Sequence, residues 1–158
     1  MMRAGQDPRT AAAAKFITRL KKLVVALTRQ APGDPIIIGI QRKVTLGSDM
    51  VPTRLVEMVG ATMYQYRESL YSNDPKVWKQ FFDPGDQSQF QSDLERSGDD
   101  ETRATAEHVI RRTQSIVCRL SDAEQRGYLE IAREMLDLYL DYCTPPAPAE
   151  PRRTVSLP

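Results

Sequence analysis

The chain has very little of what metal and nucleophile chemistry uses: one histidine and two cysteines in 158 residues. Cys118 and Cys143 form no CxxC or CxxH pair, so the ligand spacings of structural zinc sites are missing. His108 stands ten residues before Cys118 on one expected helix. That is nearly three turns at about 1.5 Å per residue, so the two cannot form a nucleophile–base pair within it. No GxxxxGK[ST], GxGxxG or GxSxG occurs, and the eight glycines are dispersed. No apolar run approaches the roughly 18 residues of a membrane-spanning helix. Asp83, Gly85 and Asp86 look faintly like a calcium loop but lack its spacing and closing Glu. Asp99, Asp100 and Glu101 read as a solvated helix start, favoured there by the macrodipole. The expectation is therefore a non-enzymatic protein with no metal and no organic cofactor. Both cysteines are read as reduced, apolar helix residues.

What is present suits one globular body. Apolar residues make up 41% and charged residues 27%, and a chain this long buries about 70% of its unfolded surface. The 22 basic and 21 acidic side chains nearly cancel, but unevenly along the chain. Residues 1–43 carry a net +7, residues 44–101 a net −6 and residues 102–158 a net 0. The basic quarter sets up a field that the acidic middle could neutralise, within one molecule or between copies.

Periodicity predicts an all-α fold: a single compact helical domain over residues 10–143, of about four to six helices, with extended arms at 1–9 and 144–158. The first helix spans about Thr10 to Thr28, with Phe16, Ile17, Leu20, Leu23, Val24 and Leu27 on one stripe. The run Ile36-Ile37-Ile38-Gly39-Ile40 favours a strand by β-branching, yet Asp34-Pro35 is a good cap and first-turn pair. It reads as a short helix or a buried extended segment. The second helix starts near Ser48 or Asp49 and buries Leu55, Val59, Thr62, Met63, Tyr66 and Leu70. Asn73-Asp74-Pro75 recaps a short helix with Val77, Trp78, Phe81 and Phe82, ending at the turn Asp83-Pro84-Gly85-Asp86. A polar stretch follows, with at most a short helix around Phe90 and Leu94. The third helix covers Asp100 to Leu120, with Ala106, Val109, Ile110, Val117 and Leu120 inward. Ser121 and Glu124 form a capping box. It opens a fourth helix to about Tyr142, with a stripe of Leu129, Ala132, Leu136, Tyr139 and Cys143. From Thr144 five of fifteen residues are proline, which favours an extended arm.

Candidate contact residues follow from this layout. Lys15, Arg19, Lys22 and Arg29 lie mostly off the apolar stripe of the first helix and form a basic face. An acidic protein partner fits that face best. Nucleic acid is less favoured, because no recognition pattern or second helix of a helix-turn-helix accompanies it, and a membrane surface would need the apolar stripe to be free. Trp78, Phe81 and Phe82 are either a core corner or anchors on a protein partner. On the C-terminal arm, Arg152 and Arg153 add adjacent cations and Leu157 an apolar anchor. The segment from Arg9 to Arg29, rich in Ala and free of acids, reads as an amphipathic helix or, in composition, a mitochondrial presequence. No secretory signal is evident, so a cytosolic or nuclear setting is expected.

Val51-Pro52-Thr53-Arg54-Leu55-Val56-Glu57-Met58-Val59-Gly60, followed by Met63-Tyr64-Gln65-Tyr66-Arg67-Glu68 and Asn73-Asp74-Pro75 with Trp78 and Phe81-Phe82, resembles small helical proteins of large icosahedral DNA viruses. The pattern covers about a fifth of the chain. The resemblance implies a minor capsid or capsid-associated protein that bridges neighbouring subunits, in the virion or the host cytoplasm, and implies no catalytic residue.

Overall fold

The computed structural model describes residues 8–46, 52–83 and 101–144, and among these it is all-α with no strand. Helix α1 spans Pro8–Gln30. Proline suits its first turn, and the alanines that follow favour helix strongly. Its stripe of Phe16, Leu20, Leu23, Val24 and Leu27 is buried, and Ala12 and Ala13 extend the buried face towards the N-terminus. The Ala31 N–H bonds back to the Leu27 carbonyl at 3.0 Å, and Pro32-Gly33 turns the chain.

Asp34 then decides the fate of the isoleucine run. Its carboxylate accepts from the Ile36 and Ile37 N–H groups at 2.8 and 3.3 Å, with Pro35 next to it, so α2 forms over Pro35–Gln41. The cap outweighs β-branching because Ile37 and Ile40, three residues apart, both reach the core. Ile38 faces solvent at 39% exposure. A π-helical turn, Arg42–Leu46, continues from α2.

The next helix is one element in the sequence reading and two in the structure, α3 over Pro52–Gln65 and α4 over Arg67–Leu70. Tyr66 leaves helical geometry (φ −103°, ψ 17°), which places its ring edge-on to Phe81 at 5.2 Å. Asp74 recaps the chain by accepting from the Lys76 N–H at 3.0 Å, giving α5, Pro75–Trp78, and the 3-10 turn Lys79–Phe82. Arg133 donates to the carbonyls of Leu70 and Ser72 and so closes the end of α4.

Helix α6 covers Glu101–Val117 and α7 covers Asp122–Cys143. The expected capping box is formed, with the Glu124 N–H bonded to the Ser121 hydroxyl at 3.2 Å and the Ser121 N–H to the Glu124 carboxylate at 3.2 Å. The buried face of α7 is wider than the sequence stripe: Tyr128, Leu129, Ile131, Ala132, Met135, Leu136 and Tyr142 are buried, Tyr139 is half-buried and Cys143 is exposed. Cys143 is thus corrected from an inward to a surface residue. The reason is that α7 packs on α1 along one side and on α3 along another. Cys118 is also free and exposed, in the turn after α6. Leu120, in the same turn, is partly buried rather than core. The expected start at Ser48 or Asp49 and the segment around Phe90 and Leu94 lie outside the described residues.

Helices α1 and α7 form an antiparallel pair. The Arg9 side chain donates to the Tyr142 carbonyl at one end, Arg19 meets Glu134 in the middle, and Gln30 reaches the Tyr128 hydroxyl at the other end. Helix α3 crosses α7 where Gly60 is buried beneath the Tyr139 ring. Gln114, fully buried on α6, ties this body together: its amide donates to the Tyr66 hydroxyl and the Phe81 carbonyl, both at 3.2 Å, and its oxygen accepts from Arg111 at 3.2 Å.

Candidate functional site

The surface with the most organised chemistry lies along the α1–α7 pair. On α1, Lys15, Lys21, Lys22 and Arg29 are exposed, and Arg19 is half-exposed. Relative to Arg19, Lys15 is four residues back and Lys22 three ahead, so the three share one side of the helix. Lys15, Lys21 and Lys22 make no ion pair among the described residues. On α7, the exposed carboxylates Glu130, Glu134, Asp137 and Asp141 follow the i, i+4, i+7, i+11 spacing of one helical stripe. Arg19 Nε and Glu134 Oε1, 2.7 Å apart, link the two stripes. A basic row and an acidic row therefore run side by side, separated by about one interhelical distance of 8–10 Å.

One tyrosine borders the acidic row, and a second holds a carboxylate of α3. Tyr71 donates its hydroxyl proton to Asp137 Oδ1 at 2.5 Å. Its pKa is pushed well up by burial, then by that hydrogen bond and by the charges of Asp137 and Asp141. Tyr142 donates to Glu57 Oε2 at 2.8 Å, and the Arg9 guanidinium lies 4.3 Å over its ring. Burial and the Glu57 contact raise the Tyr142 pKa as well. Both phenols thus stay protonated as donors and hold carboxylates in place.

The remaining sequence candidates divide. Trp78, Phe81 and Phe82 are core: they are 2%, 0% and 1% exposed and pack edge-to-face on each other and on Tyr66. A partner could not reach them, so of the two readings only the core corner stands. The apolar stripe of α1 is likewise buried against the body, apart from the partly buried Ile17. Arg152, Arg153 and Leu157 lie outside the described residues.

Clefts mark the surface of the described residues. One, of about 500 Å³, is lined by Lys76, Lys79, Cys118 and Gln125 among others. Lys79 is paired with Asp122 at 2.7 Å, and the Cys118 thiol donates to the Ser115 carbonyl at 3.3 Å. The buried Gln125 amide donates to the Val117 carbonyl at 3.0 Å, and its oxygen has no partner among the described residues. That oxygen is shielded from solvent, so it does not present an acceptor to the cleft. A second cleft, about 270 Å³, runs between α2 and α6 past Ile36, Ile40, Lys43 and His108. His108 is half-buried there, and its pKa is lowered by burial and then by Lys43 and Arg112. A third, about 260 Å³, lies between α3 and α6. Among the described residues no cluster of three or more His, Cys, Asp or Glu could hold a metal ion, and no helix is long and apolar enough to cross a membrane.

Sequence reasoning missed the acidic row. Counting residues 102–158 as a net charge of zero hid the fact that four of their acids sit on one face of α7. The spacing of those acids was the available signal. Comparisons with protein families, with curated proteins and with solved structures found no match to this chain.

Proposed function

We propose that this chain is a non-enzymatic assembly protein that joins neighbouring protein subunits through the outer face of α1 and α7. The observation that carries this reading is the pair of oppositely charged rows linked at Arg19 and Glu134. A nucleic acid laid on the lysines would place phosphates about 8–10 Å from the carboxylates of α7, about one Debye length at physiological salt. A protein surface bearing both signs meets no such repulsion, and electrostatic complementarity of this kind supplies specificity and association rate.

A minor capsid or capsid-associated component, as the viral resemblance implies, is the specific form of this proposal. Of the residues carrying that resemblance, Leu55, Val59, Met63, Trp78, Phe81 and Phe82 are in the core, while Arg54, Glu57, Tyr64, Arg67 and Glu68 are exposed. Arg152, Arg153 and Leu157 on the Pro-rich C-terminal sequence provide a further attachment point in this reading.

The test is purification of the full chain from its native source at low and at high ionic strength. The assembly reading expects a defined multi-subunit complex from which the chain is released by salt, and in which a Lys15→Glu/Lys22→Glu variant fails to incorporate. Unchanged incorporation of that variant would contradict it. Affinity for duplex or single-stranded nucleic acid, falling steeply with salt, would favour the basic-helix binding module instead.

A further inference from the structure

We infer that the partner of the α1–α7 face is a second copy of this chain, docked about a two-fold axis that runs parallel to the helices. This rests on the assembly reading above and names one of its subunits.

Face-to-face pairing of identical copies is isologous, so the same patch must complement itself. Two orientations of the axis are available to a layer of two antiparallel helices. With the axis across the helices, α1 lies on α1 and α7 on α7, and like charges oppose. With the axis along them, α1 lies over α7 of the second copy, and the lysine row meets the carboxylate row twice. Charge therefore selects the second orientation.

Register follows without a further assumption. Rotation about an axis parallel to the helices leaves the height of each residue along the helix unchanged. Arg19 and Glu134 stand at one height because they touch within the chain. Lys22, further along α1, then stands near the height of Glu130, and Lys15 near that of Asp137 and Asp141, because the two helices run in opposite directions. The contacts predicted between copies are accordingly Lys22 with Glu130 and Lys15 with Asp137 and Asp141, each made twice. Lys15, Lys22, Glu130 and Asp141 carry no ion pair among the described residues, so these contacts break none among them.

The size of the face sets the strength. Helices of 22 and 23 residues are about 33–35 Å long, and two side by side present roughly 600–700 Å². That is slightly below the roughly 800 Å² per partner of a standard interface. Exposed charge pairs add little individually and are screened by salt. The dimer is therefore reversible and salt-sensitive.

Sedimentation equilibrium of the purified full chain tests this. The wild type should dimerise reversibly at low salt, with a dissociation constant that rises about tenfold or more between roughly 50 and 500 mM sodium chloride. Lys15→Glu/Lys22→Glu and Glu130→Lys/Asp141→Lys should each be monomeric under the low-salt condition while keeping the wild-type melting temperature within a few degrees. The chain carrying all four substitutions should dimerise again, since position 22 still meets an opposite charge at 130, and 15 at 141. A wild type that stays monomeric at low salt, or a four-fold variant that stays monomeric when its melt shows it folded, would overturn the proposal. A monomer that still enters a native multi-subunit complex would remove self-association and leave the assembly reading standing. A dimer that joins no larger complex would do the reverse.

Discussion

Tyr139 on α7 lays its ring against Gly60 on α3, so closely that a Cβ at residue 60 would overlap the ring carbons. The absence of a side chain there sets how near α3 comes to α7, and α7 in turn carries the acidic row. Gly60→Ala should force the half-buried Tyr139 ring outward and cost about 1–3 kcal/mol, the usual penalty for overpacking. The check is a urea unfolding curve. An unchanged midpoint would show that the ring moves without cost.

The aromatic corner is core, and its removal should show as lost stability. Phe81→Ala should cost about 3–5 kcal/mol, and Leu129→Ala about 2–5 kcal/mol. Either is a large share of a total stability on the order of 10 kcal/mol. Denaturant midpoints give the answer. A Phe81→Ala protein as stable as wild type would put that ring on the surface.

Asp34 acts twice, as the cap of α2 and as the partner of Arg112 on α6. Asp34→Asn should keep most of the cap and lose the charge, while Asp34→Ala loses both. Removing the cap alone costs about 1 kcal/mol, and leaving a half-buried guanidinium unpaired adds on the order of 1–3 kcal/mol. Thermal melts should therefore rank wild type above Asp34→Asn above Asp34→Ala. Equal melting of the two variants would remove the capping role.

Acidification should loosen the junction of α2 and α6. The folded state lowers the His108 pKa below its ordinary value of 6.5, chiefly by burial and then through Lys43 and Arg112. The unfolded chain therefore takes up the proton first. Stability from this residue is unaffected well above pH 6.5 and falls as pH drops through that value towards the lower folded-state pKa. His108→Gln should flatten the melting temperature between about pH 7.5 and 5 relative to wild type. A parallel decline in both proteins would assign the pH dependence to other groups.

Much of the fold was legible in local chemistry. The alanines and apolar stripe of α1, the Ser121–Glu124 box and the Asp34-Pro35 and Asp74-Pro75 caps each specify a helix or its start without reference to the rest of the chain. The break at Tyr66 was not legible, because no Gly or Pro marks it; it arises from contacts with Phe81 and Gln114, which are distant in sequence. The burial of Gln114 and Tyr142 was hidden for the same reason, since each depends on partners supplied by another helix. Of the candidate site, the basic row was visible as unpaired positive charge on an amphipathic helix. Its acidic neighbour became visible only when the antiparallel pairing of α1 with α7 put the two rows side by side.

The most direct measurement is sedimentation velocity on an equimolar mixture of the Lys15→Glu/Lys22→Glu and Glu130→Lys/Asp141→Lys proteins at low salt. One then has acids at all four of positions 15, 22, 130 and 141, and the other has lysines at all four. Each should sediment alone as a monomer, and the mixture should form a one-to-one dimer cross-linked by carbodiimide between α1 of one chain and α7 of the other. A mixture that sediments as two independent monomers would contradict the assignment of this face as the surface on which the protein assembles.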